Sequence, residues 1–158
     1  MTTRRRAREL AFQLLYELEL NPDVPDARRE AYVREHLRDP QGQRFALQLI
    51  NGVRTKRQQL NEIIEQLSTN WSLERMGAVE RVAIRLGLYE MLYQPDIPPP
   101  VAITEAVRIA KRYGDRDSYR FVNGLLDAAR RKLLTPSAAR PEPPGPSAGG
   151  GALAEETL

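Results

Sequence analysis

Apolar residues recur at intervals of three and four along most of this chain, and breaks containing Pro or Gly separate the segments. Such spacing is typical of amphipathic helices. Aromatic residues are few and sustained alternation is absent, so strands are not indicated. The pattern predicts an all-α fold, a compact bundle of six or seven helices, the clearest of which cover residues 4–20, 27–38, 43–68, 79–93, 101–113 and 117–134.

Four places along the pattern carry more specific expectations. The helix over 79–93 is apolar on most of its circumference, which predicts a central position in the fold. Gly52 costs about 1 kcal/mol relative to Ala inside a helix, so close packing or a bend is expected there. The same cost at Gly124, next to Asn123, suggests tight packing or a polar contact with a neighbouring backbone. Ser72 is placed to cap the helical turn that follows a break.

The end of the chain has a different composition. Residues 136–151 are mostly Pro, Gly, Ser and Ala, without the periodicity that builds a core. We therefore expect a helical domain over 1–135 and a disordered tail over 136–158.

Composition and charge narrow the classes of function. The 158 residues include no cysteine, which excludes disulfides, thiolate nucleophiles and cysteine zinc sites. No apolar run approaches the roughly 20 residues that cross a bilayer, and no signal peptide is apparent. The expected location is therefore the cytoplasm, with no membrane partner. The net charge of +3 is concentrated at the start of the chain, which suggests a polyanionic partner or, alternatively, a solvated basic terminus.

The basic start is the first candidate site. Arg4, Arg5, Arg6 and Arg8 open the first helix, and guanidinium groups bind phosphate through paired donors. Arg5 and Arg8 share a helical row with Phe12 and Tyr16. An aromatic ring beside them could stack on a base. For Phe12 a place in the core is favoured, whereas for Tyr16 both interpretations stay open.

The second candidate site is the stretch 113–124, where a loop containing Gly meets the start of the last helix. Free N–H groups at a helix start attract anions. Arg116 and Arg120 add charge, and Tyr119 and Phe121 add rings. The simplest interpretation of Asp117 or Ser118 is a helix cap, which is favoured over direct ligand contact.

Catalysis is not indicated. His36 is the only histidine, and no metal-binding motif, phosphate loop or nucleophile motif is present. We therefore expect no enzymatic activity, no cofactor and no metal.

Four blocks of sequence resemble the NusB antitermination family, in order and at the expected spacing. The opening helix over 4–16 is the first, and 79–91 is the second. The third joins Ile97-Pro98 to 101–107, and Phe121-Val122-Asn123-Gly124-Leu125-Leu126-Asp127 is the most specific. The match covers about residues 3–134.

The resemblance implies a NusB-like fold of two packed helical subdomains. It implies binding to boxA-type single-stranded RNA in ribosomal-RNA leader transcripts. It further implies NusE, a small-subunit ribosomal protein, as partner, and membership of the RNA polymerase antitermination complex. A homodimer stays open, because some relatives dimerise through the RNA face.

Site residues follow from the same resemblance by position. The arginines at 4, 5, 6 and 8 map to the RNA-contacting helix start. Asp117, Ser118 and Phe121 map to the family's RNA surface, and Arg120 keeps its basic charge. Tyr16 and Glu80 map to the face that meets NusE. Thr104 replaces the usual Asn, and Tyr119 replaces a common His.

Two alternatives remain. The same fold forms the RNA-binding module of some rRNA cytosine methyltransferases, but that activity requires a cofactor-binding domain. The chain could also be a purely structural or protein-interaction bundle whose arginines are merely solvated. Salt dependence of RNA binding separates this second alternative from the antitermination factor.

Overall fold

A computed structural model describes residues 2–68 and 76–134, and the regular structure within them is entirely helical. The helices are α1 (Thr3–Leu20), α2 (Asp26–His36), α3 (Pro40–Thr55), α4 (Arg57–Leu67), α5 (Ala78–Tyr93), α6 (Pro99–Tyr113) and α7 (Ser118–Leu133). The all-α prediction is confirmed. The tail over 136–158 and the capping role expected of Ser72 lie outside the described residues.

The helices form two groups that pack on one another. In the first group α1 packs along α3, and α2 rests against both. In the second group α5, α6 and α7 each contact the other two. Helix α4 joins the groups, since it contacts α3, α5 and α7. This arrangement confirms the two packed helical subdomains that the family resemblance implied.

Helix α5 occupies the centre, as its apolar circumference predicted. It contacts α1, α3, α4, α6 and α7. All residues from Val82 to Met91 are buried, including two with ionisable side chains, Arg85 and Glu90. Both of these polar residues have partners on other helices, as burial of a charge requires.

The single long helix predicted over 43–68 is wrong. The chain breaks at Lys56, with φ −96° and ψ 13°, so that α3 ends at Thr55 and α4 begins at Arg57. The apolar stripe stays in phase across the break, from Val53 to Leu60 and Ile64. The apolar periodicity therefore does not indicate the break at Lys56. The break lets α4 leave the direction of α3 and reach α5 and α7.

Gly52 is a point of close packing, as expected. A Cβ atom built at this position would lie 2.1 Å from Cζ of Tyr89. Only a hydrogen atom fits there, so the absence of a side chain at Gly52 lets α3 and α5 approach closely. Gly124 differs from the expectation of tight packing, since a Cβ there would meet nothing within 4 Å.

Within the part of the chain that the structure describes, no helix is long and apolar enough to cross a membrane. The same residues contain no group of three or more His, Cys, Asp or Glu side chains that could hold a metal ion.

Candidate nucleic-acid interface

The start of α1 places three of its four arginines toward solvent. Thr2 caps the helix by accepting a hydrogen bond from the Arg5 N–H at 3.1 Å. Arg4 pairs with Asp96 at 2.8 Å, and both side chains are about half exposed. Nη2 of Arg6 donates to the carbonyl of His36 at 3.2 Å. These contacts orient the guanidinium groups and leave further donors on each.

The fourth arginine, Arg8, lies in the interior, although the family resemblance mapped it to the RNA-contacting helix start. Its side chain is 5% exposed, and its Nε lies 2.8 Å and 3.0 Å from the two carboxylate oxygens of Glu90. The guanidinium also lies over the ring of Phe45, 5.3 Å from its centroid. A phosphate could reach Arg8 only by displacing this packing.

Burial changes the acid–base properties of Glu90. Loss of solvent raises the pKa of this carboxyl to about 7, against the opposing effect of the Arg8 charge. A buried ion pair is weak evidence for net stability, but removal of one partner leaves a charge without compensation and costs about 3–5 kcal/mol. The pair therefore fixes the position of α1 on α5.

Helices α1 and α6 run side by side in the same direction, and ion pairs follow their seam. Nη2 of Arg5 lies 2.9 Å from Glu105. One turn further along, Glu9 lies 3.0 Å from Arg108 and 3.1 Å from Arg112. At the far end, Gln13 donates to the Tyr113 hydroxyl at 2.9 Å.

This seam, which we call the α1/α6 seam, carries more positive than negative charge. Arg5 is two-fifths exposed and Arg112 is more than half exposed, whereas the carboxylates of Glu9 and Glu105 are almost covered. The pKa of Glu105 is lowered because Arg5 and Arg108 outweigh its partial burial. The covered acids therefore position exposed cations, an arrangement suited to binding an anion.

The loop before α7 supplies the second predicted region. Asp117 and Arg120 are exposed, with side chains 80% and 71% accessible. Asp117 stands at the N-cap position without a capping side-chain bond, so its expected capping role is wrong. Phe121 is half-buried and packs against the core.

Ser118, which the family resemblance mapped to the RNA surface, is buried. Its hydroxyl donates to Oε2 of Glu80 at 2.7 Å and accepts from the Asp115 N–H at 3.1 Å. The other carboxylate oxygen of Glu80 accepts from the Gly77 N–H at 2.7 Å. One half-buried carboxylate thus joins the start of α5 to the start of α7. The sequence suggested Glu80 as a partner contact and gave no sign of this internal role.

The two predicted regions border the same seam. Arg5 contacts α6 at Glu105, and Tyr113, at the end of α6, precedes the loop that carries Asp117. From 105 to 113 a helix rises about 12 Å. Arg108 and Arg112, which sequence reasoning did not single out, lie between them. They are one helical turn apart on the polar side of an amphipathic helix, a spacing that could have indicated a shared surface.

The aromatic residues divide into core and surface. Phe12 is buried, as favoured, and stacks on Tyr16 at 5.9 Å between ring centroids. Tyr16 itself is half-exposed. The ring of Tyr119 lies beneath Lys111 at 4.8 Å and Arg120 at 5.6 Å. This cluster adds a partly exposed ring with two cations at the end of the seam.

The structure is therefore that of an all-helical protein with a row of exposed cations along the α1/α6 seam. The chain matches the NusB family over residues 5–131. It therefore belongs to this family of transcription antitermination proteins.

Individual relatives agree. Transcription antitermination protein NusB of Nitratidesulfovibrio vulgaris (strain DP4) is 44% identical over 137 residues, which cover 83% of this chain and 90% of that protein. The solved structure of T. maritima NusB has a TM-score of 0.75 and 36% identity, covering 84% of this chain and 93% of its own. A chain from a crystal structure of antitermination factors NusB and NusE in complex with dsRNA has a TM-score of 0.73 and 30% identity, covering 81% and 96%.

Proposed function

We propose that this protein is a transcription antitermination factor that binds boxA-type single-stranded RNA in ribosomal-RNA leader transcripts. It acts with NusE and joins the RNA polymerase antitermination complex in the cytoplasm, without catalysing a reaction. Family membership supports a role in transcription antitermination. The relative solved with NusE and RNA supports a protein partner and an RNA partner.

One observation carries the RNA-binding part of this proposal. Exposed guanidinium groups continue from Arg4, Arg5 and Arg6 along the α1/α6 seam to Arg112. The exposed start of α7, with Arg120, lies beyond Arg112. One strand of RNA spans such a length with a few nucleotides. Phosphates would pair with the arginines, and a base would stack on Tyr119 between its cations.

The protein-binding part rests on the face around Tyr16 and Glu80. Tyr16 is half-exposed and rests on Phe12, so its ring is held in place for a partner. Glu80 is half-buried and engaged with Ser118 and Gly77. A partner at Glu80 would therefore contact a carboxylate that already has a role within the fold.

A titration with RNA tests the proposal. We expect a boxA-like RNA to bind more tightly than a scrambled RNA of the same length, and NusE to increase this difference. With roughly four phosphate contacts, log affinity should fall against log salt with a slope near −3, at about −0.7 per contact on a single strand. Light scattering of the same samples reports whether a dimer covers the RNA face.

The opposite result would contradict the RNA-binding part of the proposal. A flat salt response, with equal affinity for both RNAs, would favour the purely structural bundle. The many intramolecular ion pairs of α1 are the observation that keeps this second candidate in view, since Arg5 and Arg8 each have a carboxylate partner.

A further inference from the structure

A second cationic cavity lies away from the α1/α6 seam. It is a cleft of about 410 Å³ between the C-terminal half of α1, the α3/α4 break and the first turns of α5. Its charged lining residues are Glu19, Arg54, Arg57 and Arg85. We propose that this cleft binds a small organic anion, a phosphate monoester or carboxylate carried on an apolar body.

The cations in the cleft outnumber the anions. Glu19 accepts from Arg57 at 3.1 Å, Arg85 at 2.9 Å and Arg81 at 2.7 Å. Arg54 reaches Asp26, at 3.4 Å, but Asp26 also pairs with Arg29. Each guanidinium therefore shares its counter-ion, and the cleft keeps an excess of positive charge that favours an added anion.

A buried donor points at the same conclusion. The side chain of Arg85 is 4% exposed; its Nε donates to Asn61 at 2.7 Å and its Nη1 to Glu19. Within the described residues, Nη2 of Arg85 has no hydrogen-bond acceptor. Buried donors are almost always paired, so an unpaired one on the wall of a cleft marks a place for an acceptor.

Electrostatics agree with the geometry. The surrounding guanidinium groups lower the pKa of Glu19 to about 2 in spite of its partial burial. Desolvation lowers the pKa of Arg85 against the opposing effect of Glu19, and the neighbouring charges of Arg57 and Arg81 lower it further. Like charges thus face one another here, and a second anion would relieve their repulsion.

The rest of the wall explains why the ligand needs an apolar body. Leu15, Leu18, Val53 and Val82 line the cleft beside the charges. Cavities of this size, about 300–1,000 Å³, hold small molecules rather than bare ions. Arg57 is 54% exposed at the mouth, where the donors that it does not use for Glu19 can bind an incoming phosphate or carboxylate.

Calorimetric titration of the full chain at constant ionic strength tests this inference, with phenyl phosphate, benzoate, inorganic phosphate and phenol as probes. We expect phenyl phosphate or benzoate to bind at one site, and phenol, which lacks the charge, not to bind. Inorganic phosphate should bind about tenfold more weakly than the better aryl anion. Failure of both aryl anions would overturn the proposal.

Variants locate the site. Arg57→Gln should weaken binding of the aryl anion about tenfold. Arg34→Gln should leave binding unchanged, because Arg34 is an exposed residue of α2 whose one ion pair among the described residues is with Glu30. Arg6→Gln separates this cleft from the α1/α6 seam. Loss of binding in Arg6→Gln with full binding in Arg57→Gln would overturn the inference.

A second variant keeps the inference testable if Arg57→Gln fails to fold. Leu18→Glu adds a negative charge to the wall without removing an ion pair, and should weaken the aryl anion as Arg57→Gln does. Normal binding by a folded Leu18→Glu would also count against the cleft. The inference does not depend on RNA binding, so the two can fail separately.

Discussion

Nε of Arg8 lies within 3.0 Å of both carboxylate oxygens of Glu90, in the interior of the protein. The two residues are 82 positions apart, on the first helix and the central one. Because α1 also carries the exposed arginines, this buried pair sets where those arginines stand. It has consequences for stability and for pH dependence that can be measured.

The pH dependence follows from Glu90. Its pKa is about 7 in the folded protein against 4.5 as the ordinary value, so the folded state binds the proton more tightly than the unfolded state. The contribution of Glu90 is therefore fully present below about pH 4.5 and is lost as the pH rises through about 7. The expected slope in that window is up to about 1.4 kcal/mol per pH unit.

Glu90→Gln checks this. The amide cannot ionise, so the difference in unfolding free energy between wild type and Glu90→Gln should change across pH 4.5–7 and be constant above it. Urea denaturation at several pH values measures both proteins. A difference that does not vary with pH would show that Glu90 titrates normally.

Substitution of the exposed arginines should weaken RNA binding. Arg6 donates to the carbonyl of His36 and forms no ion pair among the described residues. Arg6→Gln should therefore reduce affinity for boxA-like RNA about five- to tenfold and reduce the steepness of the salt dependence by about 0.7. The melting temperature should hardly change. Arg34→Gln, with the same loss of charge on α2, is the matched control, and an equal effect of both would exclude a specific contact.

Arg5 should behave differently from Arg6. It is bonded to Glu105 through two donors, at 3.3 Å and 2.9 Å. Arg5→Ala should therefore lower stability slightly as well as reducing RNA affinity, because a partly exposed ion pair makes only a small contribution to stability. Thermal unfolding beside the RNA titration separates the two effects, and an unchanged melting temperature would mean the Glu105 contact adds nothing.

The Glu80–Ser118 hydrogen bond should couple two surfaces. Glu80→Ala and Ser118→Ala each remove the charged hydrogen bond, at a cost of about 1.5–3 kcal/mol. In a double-mutant cycle the two losses should not add. For the partner face, Glu80→Arg should impair association with NusE more than Ser118→Ala does. Equal impairment by both would assign the effect to the loop rather than to a direct contact.

Two glycines should respond in opposite ways to the same substitution. In Gly52→Ala the new methyl group overlaps the ring of Tyr89, so we expect a loss of about 1–3 kcal/mol. In Gly124→Ala the methyl group meets nothing within 4 Å, so helix propensity should raise stability by about 0.5–1 kcal/mol. Chemical denaturation measures both, and a destabilised Gly124→Ala would indicate a constraint outside the helix.

The fold followed from the sequence because helix-forming signals are local. Pro and Gly breaks bounded α1, α2, α5, α6 and α7 to within about two residues, and the apolar circumference of α5 indicated its central place. The break at Lys56 could not be predicted from the sequence, because the apolar stripe stays in phase across it. The direction of α4 is decided by its tertiary packing on α5 and α7.

The candidate site was less predictable because it depends on contacts between distant residues. Arg8 and its exposed neighbours look alike in sequence, yet Arg8 lies against Glu90 and Arg6 does not. A signal existed in α5, where Arg85 and Glu90 interrupt an otherwise apolar helix. Ionisable residues in such a helix need partners when buried, and Arg8 was an available partner for Glu90.

The shared direction of α1 and α6 has an electrostatic consequence for the whole molecule. Each helix has a macrodipole with its positive end at the N-terminus, and both N-termini lie at the end where Arg4 meets Asp96. Neither first turn contains an acidic residue that would offset this field. Along the α1/α6 seam, the two helix dipoles therefore add to the positive potential at that end, which gives an approaching polyanion a preferred end at which to dock first.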